Sequence, residues 1–206
     1  MNFLTNIYKR IYYRITRDNF NHTVLPSEIT PRVHVGCGPV NLAGWINVDA
    51  RGFDHVHIVS TKVSLDEFAD GSVGEIYMCH VLEHFKKEEG LDLLKVYSKK
   101  LKKGGIIRIA VPSFDLILDA YQKSNQNLDL ITASLLGGQD YEYNYHKIVF
   151  NKKLLSEMLS SAGFINIEDW TPEVDFGKKV NDWSSNEISI GLMHFPVSLN
   201  LKARIA

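Results

Sequence analysis

The sequence predicts an α/β fold built on a mostly parallel sheet with helices on both faces. Short runs of β-branched and other apolar residues alternate with segments in which apolar residues recur every three to four positions, as strands alternate with amphipathic helices. A glycine-containing turn, Gly36-Cys37-Gly38, follows the first of these runs. A chain of 206 residues with 45% hydrophobic residues suits one domain with a sizeable core.

The first 30 residues predict a basic amphipathic helix followed by a linker. Apolar residues recur at helical spacing from Phe3 to Ile15. Four basic residues accompany them: Lys9, Arg10, Arg14 and Arg17. Such a helix packs on its own domain or on a partner subunit, and peripheral contact of residues 2–17 with an anionic membrane is a second interpretation. We therefore divide the chain into an N-terminal segment, 1–30, and a domain at 31–206, with the oligomeric state left open.

The first half of the domain predicts four strands and one helix. The strands are expected at residues 33–35, 45–49, 54–59 and 74–79, where apolar and β-branched residues cluster. Residues 60–73 read as a polar loop. Apolar residues recur at three to four positions over 88–101 and predict a helix. The Lys102–Gly105 segment is expected to end it with positive charge and glycine.

The second half predicts two further strands, two helices and a final strand or pair of strands. The strands are expected at 106–111, 164–170, 187–192 and 195–201. Ser113 is suited to cap a helix that reaches Tyr121, and Asn151 to cap one that ends at Gly163. Residues 124–149 are rich in Asn, Gln, Tyr and Gly and look irregular.

Composition restricts the function. A formal net charge of −1 argues against a general nucleic-acid binder, which normally has a strong basic excess. Cys37 and Cys79 are not spaced as a zinc-type or redox pair, so we expect small buried thiols in a reducing cytoplasm. No apolar run is long enough to cross a membrane. The sequence thus predicts a cytoplasmic protein, with the N-terminal helix as the one candidate for membrane contact.

The glycine turn is compatible with a nucleotide site but does not prove one. Gly36 and Gly38 allow a sharp turn and close approach to a ligand, and Asp49 ends the next apolar run, where a carboxylate can accept hydrogen bonds from a ribose. The dinucleotide fingerprint is incomplete because Pro39 and Val40 replace its third glycine and the acid comes early. A tight turn of any α/β protein explains this segment equally well.

Five motifs in order resemble the class I S-adenosylmethionine-dependent methyltransferases, and most closely their type 11 branch. They are Val33–Pro39, Gly44–Asp49, Asp70–Tyr77, His80–Phe85 and Leu101–Pro112. The resemblance covers roughly residues 31–170, and residues 137–164 also resemble a bacterial subgroup of predicted small methyltransferases. It implies a Rossmann-like fold, a seven-stranded and mostly parallel sheet with helices on both faces and an antiparallel last strand.

The same resemblance implies S-adenosyl-L-methionine as the cofactor. Carried over residue by residue, Gly36, Cys37 and Gly38 would pass under the methionine part of the cofactor. Asp49 would hold its ribose hydroxyls. The expected activity is methyl transfer by in-line displacement, in which alignment of the acceptor dominates.

Further cofactor and acceptor contacts follow from the resemblance. Val63, Ser64 and Leu65 would flank the adenine, and His80 would lie at the methyl-donor end. His80 and His146 are the candidate catalytic residues, since histidine titrates near neutrality and can act as a general base toward a hydroxyl or amine.

The insertion at 124–150 is where the family usually builds its acceptor pocket. Tyr141, Tyr143 and Tyr145 precede His146 there and are candidates to line that pocket. The resemblance favours a small molecule or a glycan precursor as the methyl acceptor, and no nucleic acid.

Two departures from the family pattern support an alternative. His34 stands where the family usually has an acid, and Val40 where it often has glycine. No acid follows the third strand at Ser60, Thr61 or Ser64. These changes would weaken cofactor binding, and they motivate a methyltransferase-like scaffold without activity as the second hypothesis.

A rival motif lies in the same segment. His80-x-x-Glu83-His84 matches the inverted zinc-peptidase pattern, in which two histidines bind zinc and the glutamate activates water. The motif follows a strand end, and the sequence places no third ligand downstream. We therefore predict no metal at this segment and a supporting role for Glu83 and His84.

Overall fold

The structure is a computed structural model that describes residues 30–206. The predicted N-terminal helix and its membrane contact lie outside the described residues. Within residues 30–206, no helix combines the length and the apolar character needed to cross a membrane.

Seven of the strands form one central sheet. The described strands are β1 Arg32–Val35, β2 Ile46–Asp49, β3 Ile58–Val59, β4 Val73–Cys79, β5 Leu101–Pro112, β6 Ile165–Asp169, β7 Glu187–Ile190, β8 Met193–Pro196 and β9 Ser198–Arg204. The sheet order is β3-β2-β1-β4-β5-β9-β6, and β7 and β8 form a separate hairpin. The β1 to β5 strands pair in parallel, whereas β9 runs antiparallel to β5 and β6. The predicted mostly parallel sheet with an antiparallel last strand is confirmed.

The helices flank the sheet, and three of those described begin at a polar side chain that caps the helix. They are α1 Lys87–Lys100, α2 Phe114–Lys123, α3 Leu128–Leu136, α4 Lys152–Ser161 and α5 Pro172–Asp175, with a 3₁₀ turn at Leu82–His84. Ser113 Oγ accepts from the Leu116 N–H at 3.4 Å, and Asn151 Oδ1 accepts from the Leu154 N–H at 2.9 Å. Both predicted caps are therefore confirmed, because each satisfies a helix-end N–H that has no partner inside the helix.

The segment predicted to be irregular contains a helix. Helix α3 begins at Asn127, whose side chain accepts from the Leu130 N–H at 3.2 Å. Ile131 is buried and packs in a small cluster with Ile117 and Phe195. The expectation for residues 124–149 was wrong here, since a cap and one anchored apolar face were enough for a helix.

Two predicted boundaries are also corrected. Helix α1 ends at Lys100 and β5 begins at once, so the Lys102–Gly105 segment belongs to a strand. The pairing shifts register between Val73 and Glu75, which accommodates the extra residues before Ile106. Strand β3 is only Ile58–Val59, because residues 53–57 turn back through a Val56 N–H to Phe53 carbonyl bond.

The core positions the site at the carboxyl ends of the central strands. Residues from β1, β4 and β5 are fully buried between the helices, and Leu94 and Leu155 pack on them from α1 and α4. Strand β1 lies between β2 and β4, so the connections after β1 and β4 leave on opposite sides. This is the switch point of an open α/β sheet, where a crevice forms outside the carboxyl ends of the strands.

Candidate functional site

The turn after β1 needs both of its glycines. Gly36 and Gly38 have φ of 63° and 53°, the left-handed region that favours glycine. A Cβ at Gly36 would lie 2.3 Å from Cγ2 of Val81, so this glycine lets the turn meet the segment after β4. Gly38 is itself buried, and a Cβ there would meet Arg51 Nη2 at 3.5 Å, an ordinary contact with the end of a flexible side chain.

Asp49 ties that turn to the end of β2. Its Oδ2 accepts from the Gly38 N–H at 2.7 Å, and its Oδ1 accepts from the Arg51 N–H at 2.8 Å. The Arg51 Nε lies 3.4 Å from Oδ1. Asp49 is buried, yet a carboxylate offers about four lone-pair positions, so acceptor capacity remains for further donors.

Arg51 connects this acid to the insertion and was not identified from the sequence. Its guanidinium carbon lies 4.9 Å from the ring centroid of Phe53 and 4.9 Å from that of Tyr141. Cation–π contacts of this kind hold the side chain in place. The insertion therefore reaches over the glycine turn through Tyr141.

Cys37 and His55 complete the turn. The Cys37 thiol is buried, as predicted, and burial together with the nearby Asp49 charge raises its pKa to about 12. His55 Nε2 donates to the Gly38 carbonyl at 3.0 Å. Cys37 is thus an un-ionised, packed side chain, whereas His55 supports the backbone of the turn.

The three residues predicted to flank the adenine follow β3. Leu65 is buried in the main core with φ of 55°, so its side chain is part of the interior. The Val63 carbonyl accepts from the Tyr97 hydroxyl at 2.8 Å, and Ser64 is partly exposed. The adenine contact itself stays a prediction.

His80 directly follows β4, and its ring is held by one hydrogen bond at its edge and by stacking on one face. Its backbone has φ of 51°, an uncommon conformation for a non-glycine residue. The Ser198 hydroxyl donates to the Trp183 carbonyl at 2.6 Å, so His80 Nε2, at 2.7 Å, must donate to Ser198 Oγ. The ring stacks on Trp183 at 5.8 Å. His80 Nδ1 is left facing Glu83 Oε1 at 3.6 Å.

The insertion docks on the 3₁₀ turn and brings His146 to Glu83. The Lys147 N–H donates to the Glu83 carbonyl at 2.8 Å, and His84 Nδ1 lies 3.1 Å from the Tyr145 carbonyl. His146 Nε2 then lies 3.9 Å from Glu83 Oε1. The two predicted catalytic histidines, His80 and His146, are thereby brought to the same carboxyl group.

Burial makes this cluster uncharged. Burial, with smaller contributions from His146 and His84, lowers the pKa of His80 to about 3. Burial and the neighbouring His84 lower the pKa of His146 to about 4, although the backbone at Leu135 and Ser134 opposes this. Burial raises the pKa of Glu83 to about 8. Near pH 7 the cluster therefore consists of neutral imidazoles around a mostly protonated carboxyl.

A small surface pocket adjoins His146. It is lined by Pro112, Phe114, Ile117, Ser134, Leu135, His146, Ile148 and Val149. The three candidate tyrosines do not line this pocket, and all are more than one-third exposed. Tyr141 instead contacts Arg51 and the ring of Tyr143.

Comparison with solved structures identifies the fold, whereas comparisons with models of known families and with curated proteins give no match. The chain has the Rossmann-like fold of class I methyltransferases. It is similar to a SAM-dependent methyltransferase of Archaeoglobus fulgidus, with a TM-score of 0.51, 14% identity and coverage of 98% of this chain and 100% of that one. A SAM-dependent methyltransferase of Thermotoga maritima matches with a TM-score of 0.52, 14% identity and coverage of 98% and 96%.

A carbon methyltransferase named CurJ matches with a TM-score of 0.50, 15% identity and 89% coverage, and this chain spans 50% of its length. At such identities the likeness establishes the shared fold, and the activity of this chain has to be argued from its own residues.

Proposed function

We propose that this protein is an S-adenosyl-L-methionine-dependent methyltransferase that acts on a small molecule or a glycan precursor. The observation that carries the proposal is the Gly36–Gly38 turn, closed onto Asp49 at the carboxyl edge of the sheet. That edge is the switch point between β1 and β4. A class I methyltransferase fold with this pair of features is suited to hold a nucleoside through its ribose.

The residues present fit the proposed cofactor. At Gly38 the nearest neighbour of a Cβ would be the mobile end of the Arg51 side chain, at 3.5 Å, and Asp49 keeps acceptor capacity for ribose hydroxyls. The backbone from Val63 to Leu65 is the proposed adenine edge. When bound, S-adenosyl-L-methionine supplies an activated methyl group on its sulfonium.

The two departures from the family pattern have packing roles. The buried His34 ring stacks on Tyr77 with a centroid distance of 4.9 Å. Val40 packs against the cluster that contains Leu42 and Trp45. Because both side chains contribute to the interior, they do not by themselves favour the scaffold hypothesis over the enzyme.

The acceptor side is proposed at His80 and His146. Both contact Glu83, and the residue after His80, Val81, packs on Gly36 of the turn. His80 would thus adjoin the methyl-donor end, and His146 would meet an acceptor that enters by its pocket. Their catalytic roles, the cytoplasmic location and the membrane contact remain predictions.

Calorimetric titration with S-adenosylmethionine and S-adenosylhomocysteine tests the cofactor. We expect micromolar binding of both by the full chain, and loss of binding in Asp49→Ala. The matched control is Asp66→Ala, which removes an exposed acid in the loop after β3. Absence of binding by the folded wild-type protein, or unchanged binding by Asp49→Ala, would overturn the proposal.

A further inference from the structure

Three side chains converge beside the 3₁₀ turn in a pattern that fits a metal ion. Glu83 and His84 come from the turn, and His146 comes from the insertion. One ligand atom of each lies within 4.8 Å of the others. No third ligand for the His80–His84 motif was evident in the sequence, and the docked insertion supplies one, His146. The cluster therefore joins two distant segments at a single point.

Glu83 is buried without a partner. It is 1% exposed, and neither Oε1 nor Oε2 has a hydrogen-bond partner among the described residues. A buried polar group normally finds a partner, since leaving it without one costs free energy. His80 and His146 each direct a ring nitrogen toward Glu83 Oε1. His80 Nδ1 lies 3.6 Å from it and His146 Nε2 lies 3.9 Å from it. These distances are too long for direct hydrogen bonds and leave room for a small ion.

The imidazole of His84 is oriented as a metal ligand normally is. Its Nδ1 lies 3.1 Å from the Tyr145 carbonyl and must donate to it, because a carbonyl only accepts. The lone pair is then on Nε2. Metal-binding histidines usually donate their other ring N–H to a carbonyl or carboxylate in this way, which fixes the tautomer and the ring direction. His84 is also partly exposed, so an ion can reach the cluster from solvent.

We propose that Glu83, His84 and His146 bind a divalent transition-metal ion, with Zn²⁺ as the favoured one. Two imidazoles and a carboxylate suit Zn²⁺, whereas Mg²⁺ prefers oxygen ligands. Zinc lies about 2.0 to 2.2 Å from such ligands, so ligand atoms about 3.3 Å apart surround it. The present separations of up to 4.8 Å require a contraction of up to about 1.5 Å.

His80 lies beside this group of three ligands without belonging to it. Its Nε2–H is used by Ser198, so the lone pair on Nδ1 points toward Glu83 Oε1. With three protein ligands, the fourth position on the ion would be open to water or to an acceptor. On the proposed methyltransferase function, the ion lies on the acceptor side, where it would hold an oxygen of the acceptor and favour its ionised form.

Zinc titration of the untagged, chelator-treated full chain tests the site. We expect one Zn²⁺ per chain by calorimetry, an absorption of bound Co²⁺ in the visible range, and little response to Mg²⁺. His146→Ala and Glu83→Gln should weaken Zn²⁺ binding about a hundredfold or more. Glu83→Gln keeps the side-chain shape, so it preserves the fold where a smaller residue would not. His194→Ala, a substitution of an exposed histidine in the β7–β8 hairpin, is the control and should bind normally.

The metal proposal is overturned if folded wild-type protein takes up no stoichiometric Zn²⁺, or if Glu83→Gln and His146→Ala bind it like wild type. Titration with S-adenosylhomocysteine in the presence and absence of Zn²⁺ separates this result from the proposed function. Zinc uptake without cofactor binding would support the metal site and contradict the methyltransferase proposal. Cofactor binding without zinc uptake would support the methyltransferase proposal and contradict the metal site.

Discussion

The backbone N–H of Gly38 donates a 2.7 Å hydrogen bond to Oδ2 of Asp49, and this bond joins the turn after β1 to the end of β2. The acid proposed to bind the ribose is therefore also the acid that shapes the glycine turn. Its second oxygen accepts from the Arg51 N–H, so both sides of the carboxylate position backbone. Damage to either residue is expected to appear as a loss of cofactor binding before a loss of fold.

Gly38→Ala should abolish binding of S-adenosylhomocysteine while the domain stays folded. The new methyl group would stand beside Arg51 Nη2, at 3.5 Å, on the turn that is proposed to pass under the cofactor. The left-handed backbone adds a cost of about 1 to 2 kcal/mol in the free energy of unfolding. Calorimetry and urea denaturation measure the two effects.

Gly71→Ala is the matched control, since Gly71 has φ of 70° and open space around it at the start of β4. It should show the same loss of stability with normal cofactor binding. Equal binding by both variants would place the cofactor elsewhere.

His34→Gln should make stability less sensitive to acid. Burial lowers the pKa of His34 from its ordinary value of 6.5 to about 4, although Asp182, Asn47 and Asp49 oppose that shift. Between these values the unfolded chain binds a proton that the folded chain does not, so the free energy of unfolding falls as the pH is lowered. From pH 7 to pH 5 this amounts to about 2 kcal/mol.

Urea denaturation at pH 7 and pH 5 checks the prediction. The loss of unfolding free energy between the two pH values is compared in wild type and His34→Gln, so that the contributions of the other histidines cancel. We expect the wild type to lose about 2 kcal/mol more than His34→Gln over this interval. Equal losses in the two proteins would mean that His34 is protonated in the folded state or is not buried.

The local parts of the fold were predictable from the sequence because they depend on short-range signals. Caps such as Ser113 and Asn151 and the glycine turn before Asp49 act within a few residues. Helix α3 was not predicted because its cap, Asn127, lies in a polar stretch and because few residues of its apolar face are buried. Helical periodicity is recognisable in a sequence only where several apolar residues lie on the same face of the helix.

The candidate site was only half predictable for a different reason. Contacts such as Glu83 with His146, or His80 with Ser198, join segments whose separation in the chain carries no local signal. The HxxEH motif supplied two residues of the cluster, and docking of the insertion supplied the third. Arg51 was missed likewise, since its partner Tyr141 comes from that insertion.

Gly137→Ala should release the insertion from the 3₁₀ turn. Gly137 has φ of 82°, and a Cβ there would lie 2.4 Å from the carbonyl oxygen of Asn144. That contact is with backbone, so the loop that carries Tyr145 and His146 has to move. Limited chymotrypsin digestion followed by mass spectrometry should show faster cleavage at the loop tyrosines. Gly177→Ala, with φ of 69° and open surroundings, is the control and should leave cleavage unchanged.

Tyr77→Phe should destabilise the protein more than Tyr97→Phe. The buried Tyr77 hydroxyl donates to Asp182 Oδ2 at 2.6 Å, whereas the Tyr97 hydroxyl donates to the neutral Val63 carbonyl at 2.8 Å. Hydrogen bonds to charged groups contribute about 1.5 to 3 kcal/mol and those between neutral groups about 1 kcal/mol.

Loss of the Tyr77–Asp182 hydrogen bond should also affect the segment that covers His80. Asp182 also accepts from the Ser184 N–H and hydroxyl, and Trp183 between them stacks on His80. Loss of the Tyr77 hydroxyl is therefore expected to loosen the cover of His80 as well as to lower stability. Urea denaturation gives the free energies, and hydrogen exchange at residues 182–185 reports the local loosening. Equal destabilisation by the two variants, with unchanged exchange there, would show that Asp182 is satisfied without Tyr77.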